Sequence, residues 1–180
     1  IAAIRDEDEM LALMEMLAYR TGTLLNVSSM ANELKMTRET TEKYLSILER
    51  LFLVRRLSAW HRNQSKRLVK TPKVHVIDSG LATTLSGLKA DDWNNHKSNF
   101  GPVLESFVVQ QLICKASWIG SDFKFSHYRD KDQVEVDLVI ERGQQLWGVE
   151  VKKAASINPK DSAGLARLAA QAGKRFQGGI

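Results

Sequence analysis

The 180-residue sequence has a single cysteine, no long apolar run, no paired histidines and no acid between Arg50 and Ile77. Each absence removes a class of explanation. With Cys114 alone, neither an internal disulfide nor a thiolate zinc cage can form. Cys114 falls among Phe107, Val108, Leu112 and Ile113, which predicts a small buried hydrophobe. An unpaired thiol suits a reducing compartment, so a cytoplasmic location is expected. No stretch is apolar enough to cross a bilayer, and no membrane partner is expected. No signal peptide is visible. The chain begins at Ile1 rather than Met, and Phe176–Ile180 ends where a strand would be starting, so it reads as part of a longer protein. His61, His75, His96 and His127 show no i, i+4 pair, so none is assigned to a metal.

The net charge of +5 is modest, but it is unevenly spread. The acid-free stretch carries Arg50, Arg55, Arg56, Arg62, Lys66, Arg67, Lys70 and Lys73. A basic stripe of this kind suits a polyanion better than the net charge implies.

The first half reads as helical. Met10, Leu13, Met14 and Leu17 keep the spacing of an amphipathic helix, closed by Thr21-Gly22-Thr23. A short helix is expected from about Ser28 to Leu34, capped by Ser28 or Ser29, and a longer one follows Thr37 as N-cap. Short helix, tight turn, longer helix is the helix-turn-helix outline. Leu53–Leu57 and Arg67–Lys70 then read as a hairpin, which makes residues 1–90 a winged helix, helical with a β-wing. Its long helix would present Arg38, Glu39, Thr41, Glu42 and Lys43. The wing would carry Arg62, Lys66, Arg67 and Lys70 toward DNA phosphates, which position a protein without reading sequence. Glu39, Glu42 and Glu49 oppose that reading, and such modules also dock proteins or link domains. Asp78 reads as the N-cap of a small helix.

A polar stretch, residues 89–99, reads as the boundary to a second domain, residues 100–180. There Pro102 opens an apolar helix, strands are expected at Phe123–Tyr128, Val134–Ile140 and Leu146–Val151, and a helix over Ser162–Ala172. The class is α/β overall.

The chemistry concentrates in VEVDLVIERGQQLWGVEVKK, residues 134–153. Alternation along a strand puts Glu150 and Lys152 on one face, and Asp137 on the same side would bring two carboxylates and an amine together. Carboxylate oxygens with the Val151 carbonyl suit Mg²⁺ or Mn²⁺, and an ammonium could orient water. Charges alternating with valine are also the ordinary pattern of a strand with one wet face. Asp is a poor strand former, however, and Asp137 interrupts a β-branched run. Glu105 lies on the helix after Pro102, a favourable place for an acid and a candidate further contact to metal or water.

Glu105, Asp137 and Glu150-Val151-Lys152, in that order, resemble the pattern of the PD-(D/E)xK nuclease superfamily. The longer segments LLNVSSMANELKMTRETTEKYLSILERLFLVRRL, KRLVKTPKVHVIDSGLATTLSGL, GPVLESFVVQQL and YRDKDQVEVDLVIERGQQLWGVEVK resemble the C-terminal region of prokaryotic AAA-type ATP-binding proteins. In that family an ATPase precedes a winged helix and a restriction-endonuclease-like domain. The resemblance implies a mixed central sheet in the second half, with Asp137, Glu150 and Val151 as metal ligands. It makes Lys152 the water-orienting amine and Glu105 the helix acid. It also implies an N-terminal ATPase as partner, with ATP bound only there, since this sequence has no phosphate-binding G-x-x-x-x-G-K-S/T loop. Lys153 departs from the pattern, as a second cation beside Lys152. The expected function is Mg²⁺-dependent phosphodiester hydrolysis on DNA. The alternatives are an inactive nuclease-like regulatory module and an oligomerisation or lid element for the ATPase.

Overall fold

A computed structural model describes residues 6–61, 71–94, 100–154, 156 and 158–180. The fold is mixed α/β, with a mixed four-stranded sheet in the C-terminal part. The chain divides into two compact units, residues 1–56 with 73–107 and residues 57–72 with 108–180. No helix among the described residues is long and apolar enough to cross a membrane.

In the first unit, α1 (Glu7–Tyr19) is capped by Asp6, whose side chain accepts from the Asp8 and Glu9 amides. Helix α2 (Val27–Glu33) starts slightly earlier than the serines suggest. Its cap is Asn26, which accepts from Ser29 N at 3.0 Å, while the Ser29 hydroxyl is spent on Glu33. Helix α3 (Arg38–Arg50) is capped by Thr37, as expected. Strands β1 (Thr23–Leu24), β2 (Val54–Leu57) and β3 (Lys73–Val76) form a sheet in the order β1-β3-β2, so the strand beside β2 is β3. The run Arg67–Lys70, expected to pair there, lies outside the described residues. Asp78 caps α4 (Ser79–Leu85) through the Leu81 amide at 2.7 Å. Leu13, Leu17, Tyr44, Leu45, Leu48, Val54, Val74 and Val76 form the core, where apolar burial supplies most of the stabilisation.

Helix α5 (Phe100–Ile119) begins two residues before Pro102. A proline in the first turn is tolerated because the amide it lacks has no intrahelical acceptor there. Val109, Ile113 and Ala116 take its buried face, and Cys114, one position out of phase, is exposed rather than buried. The second unit's sheet runs β4-β5-β6-β7, from β4 (Phe123–Arg129), β5 (Glu135–Arg142), β6 (Gln145–Val149) and β7 (Phe176–Gly179). The first three are antiparallel, and Gly143 takes a positive φ of 58° in the two-residue turn between Arg142 and Gln145. Strand β7 is parallel to β6, and α6 (Ala163–Ala172) makes the crossover a parallel pair requires.

Trp60 and Tyr128 pack together in this unit's core, and the Tyr128 hydroxyl accepts from Gln171 Nε2 at 2.8 Å. Burial, and then the charge of Asp130, push the phenol from 10.0 up to about 12. A raised folded value means that Tyr128 stabilises the protein below pH 10, and that this contribution is lost as pH rises toward 12. Ultraviolet titration should show one late tyrosinate step that is missing in Tyr128→Phe.

Candidate functional site

Strand β5 does not alternate simply. Ser126 pairs with Val139 and Tyr128 with Val136, so His127 alone faces both Asp137 and Leu138. This is a β-bulge, a device that re-aims side chains and is common beside active sites. Because of it, Val136 and Val139 join one apolar cluster with α6, while Leu138 joins another with Val109 and Val149. Asp137 sits in the bulge, 6% exposed, and its Oδ2 accepts from Val151 N at 2.9 Å. The β5–β6 register ends with Leu138 against Val149, so Asp137 and Glu150 are the residues just beyond its last pair.

Glu150, Val151 and Lys152 lie just beyond β6, which ends at Val149 rather than Val151. Glu150 is still held in the sheet, since its amide donates to the Ile180 carbonyl at 2.8 Å. Lys152 Nζ donates to Glu150 Oε1 at 2.5 Å. Asp137, Glu150 and Lys152 line one open cleft of about 380 Å³, together with Gln133, Glu135 and Asp161. Burial acts to lower the Lys152 pKa. The bond to Glu150 and the charges of Glu150, Asp137 and Asp161 outweigh it and hold the ammonium above the ordinary lysine value. Lys152 is therefore a cation at neutral pH, suited to donating hydrogen bonds and unsuited to taking a proton.

Asp161 was missed in the sequence reading. It lies in the 3-10 turn Pro159–Ser162 just before α6, and its carboxylate accepts from Asn158 N at 2.8 Å. The only sequence cue is an acid at a helix start, which normally needs no functional explanation. Gly164 brings that end of α6 against the sheet, because a Cβ there would collide with the Glu135 carbonyl. Gly164→Ala is expected to cost about 1–3 kcal/mol by overpacking. Gly101→Ala, with open space around its Cβ, should leave the urea midpoint nearly unchanged.

Glu105 belongs to the first unit, where Lys73 Nζ donates to its Oε1 at 2.8 Å. The two side chains are 14% and 3% exposed, so Lys73 faces a carboxylate rather than solvent. Beside it in sequence, Ser106 Oγ stands 2.9 Å from His75 Nδ1 and 2.8 Å from Thr21 Oγ1. That serine–histidine spacing suits nucleophilic catalysis, but all three side chains are buried, which makes it a packing network.

The residues expected to meet nucleic acid divide. Arg38 and Lys43 are exposed on α3, while Thr41 is buried, its hydroxyl bonded to the Thr37 carbonyl, because it lies on the same face as Tyr44, Leu45 and Leu48. Arg62, Lys66, Arg67 and Lys70 lie outside the described residues. Arg56 is paired with Glu42 and Glu49, both at 3.0 Å, so part of the basic stripe is neutralised by acids on α3.

Among the described residues, no group of three or more His, Cys, Asp or Glu side chains is arranged to hold a metal ion. A hard cation such as Mg²⁺ needs only one or two carboxylates, with waters completing its shell. The all-oxygen donors Asp137, Glu150 and the Val151 carbonyl fit that class and not zinc.

Two family models match the chain, a domain of unknown function (DUF8612) over residues 1–92 and a domain of unknown function (DUF4143) over residues 100–180. The uncharacterized proteins Mb2031c of Mycobacterium bovis and Rv2008c of Mycobacterium tuberculosis are each 28% identical to it over 141 residues. That alignment covers 78% of this chain and 31% of each relative, so the chain spans about a third of their length.

Proposed function

We propose that this chain, which belongs to the DUF8612 family of unknown function, carries in its second unit a divalent-cation-dependent site for phosphodiester hydrolysis on DNA. The observation that carries the reading is the meeting of Asp137, Glu150 and Lys152 in one cleft, in the order of the PD-(D/E)xK pattern. Asp137 and Glu150 would hold Mg²⁺ or Mn²⁺, with the Val151 carbonyl as a third oxygen. When bound, the ion polarises the phosphodiester and makes the attacking water more acidic. The Val151 amide fixes Asp137, so one carboxylate oxygen has a set position before any ligand arrives. Lys152, kept charged by its carboxylate neighbours, donates to the water and orients it. Glu105, bonded to Lys73 in the first unit, is not among the residues that line the cleft and takes no part in this reading.

In the first unit, the order of α2, α3 and the β1-β3-β2 sheet supports a winged-helix reading. Arg38 and Lys43 are its exposed candidates for DNA phosphates. The relatives are longer than this chain, and the resemblance makes the rest of such a protein an AAA-type ATPase, with ATP handled there. A second reading, a catalytically silent regulatory module for that ATPase, is favoured by the Lys152 ammonium already held on Glu150 Oε1. Supercoiled plasmid separates the two. Nicking with Mg²⁺ or Mn²⁺ that stops with EDTA supports the nuclease, and intact plasmid with either ion supports the silent module.

A further inference from the structure

Gln133 lines the cleft without a role in the proposed hydrolysis, and its backbone takes a positive φ. Three non-glycine residues have positive φ among the described residues: Lys35, Phe52 and Gln133. Lys35 and Phe52 each follow the C-cap of a helix, where left-handed backbone is the ordinary way to stop. Gln133 is the last residue of the three-residue loop between β4 and β5, where left-handed backbone is again ordinary and glycine is the strain-free choice, and its φ is 63°. The loop does not need its side chain. Asp130 closes it, with Oδ1 accepting from the Asp132 and Val134 amides at 2.9 and 3.0 Å, and Gln133 contributes its amide to the Asp130 carbonyl at 3.2 Å. Any residue but proline, glycine included, would supply that amide.

What the side chain adds is a hydrogen-bond donor at the cleft. Among the described residues, the cleft's other polar side chains are Glu135, Asp137, Glu150 and Asp161, which are acceptors, and Lys152, whose ammonium is shared between Glu150 and the water it orients. Gln133 Oε1 takes a long, 3.5 Å bond from Arg129 Nη2, which turns the amide donor away from that arginine. A phosphodiester entering an acid-lined cleft needs donors, and a neutral carboxamide gives one without competing for the cation. We propose that Gln133 is a substrate-binding residue, its Nε2–H donating to a non-bridging phosphate oxygen of the nucleic-acid strand beside the scissile bond. This rests on the phosphodiester reading of the cleft and names a contact within it.

The test is Gln133→Gly in the full chain, with binding of a labelled DNA duplex followed by anisotropy in Ca²⁺, and kcat and KM for cleavage in Mg²⁺. Glycine relieves the strain, so the urea midpoint should hold or rise. The duplex dissociation constant and KM should rise about tenfold, the effect of losing one hydrogen bond to a charged group, with kcat little changed. Gln133→Asn, which keeps a carboxamide and tolerates positive φ, should retain more of the affinity than glycine does. Unchanged duplex affinity in Gln133→Gly overturns the role of Gln133 and leaves the nuclease reading standing. A wild-type chain that binds no duplex with either ion overturns both.

Discussion

Asp137→Asn is expected to lower Mg²⁺-dependent plasmid nicking by about 10²- to 10³-fold while leaving the fold intact. Asparagine has the same shape, and its carbonyl oxygen can still accept from Val151 N, the bond that now holds Asp137 Oδ2. The bulge and the β5–β6 register should therefore survive. What disappears is the second carboxylate oxygen and its charge, which the cation requires. Lys152→Ala should impair nicking by a comparable factor through a different step, loss of the donor that orients the water. Its variant should retain cation binding, because Glu150 no longer shares an oxygen with the ammonium. Nicking by either variant at the wild-type rate would contradict these roles.

Lys73→Met is expected to cost about 3–5 kcal/mol, read as a drop in the urea midpoint. Lys73 is 2% exposed on β3, and the Glu105 carboxylate would remain, mostly buried, without the ammonium that now faces it. Removing both charges avoids that penalty, because apolar pairs often replace buried ion pairs at little cost. The double variant Lys73→Met with Glu105→Leu should therefore recover most of the loss. This places Lys73 inside the first unit's architecture, whereas the sequence showed it only as the last cation of the acid-free basic stripe.

Local signals were the legible ones. Thr37 and Asp78 cap the helices they were expected to cap, because an N-cap is decided within four residues. The mixed sheet and the final helix followed from periodicity and from the resemblance. Features set by contacts distant in sequence were not visible. Strand β3 lies between β1 and β2, and Lys73 meets Glu105 thirty-two positions on. At the cleft, the spacing of Asp137, Glu150 and Lys152 was legible, but the bulge that re-phases β5 was not, since it needs the pairing partner His127 to be known. Asp161 joins through the approach of α6 at Gly164, which no local pattern encodes. Cys114 shows the sensitivity of helix phase, where one position separates the buried Ile113 from an exposed thiol.

Cation binding tests the central claim most directly, because it does not depend on finding the right nucleic acid. Titration of the chain with Mn²⁺, followed by water proton relaxation, should show one site per chain that Mg²⁺ displaces. That site should vanish in Asp137→Asn and persist in Lys152→Ala. A wild-type chain that binds no Mn²⁺, or an Asp137→Asn variant that binds it equally well, would contradict the assignment of the cleft as a metal-dependent phosphodiesterase site.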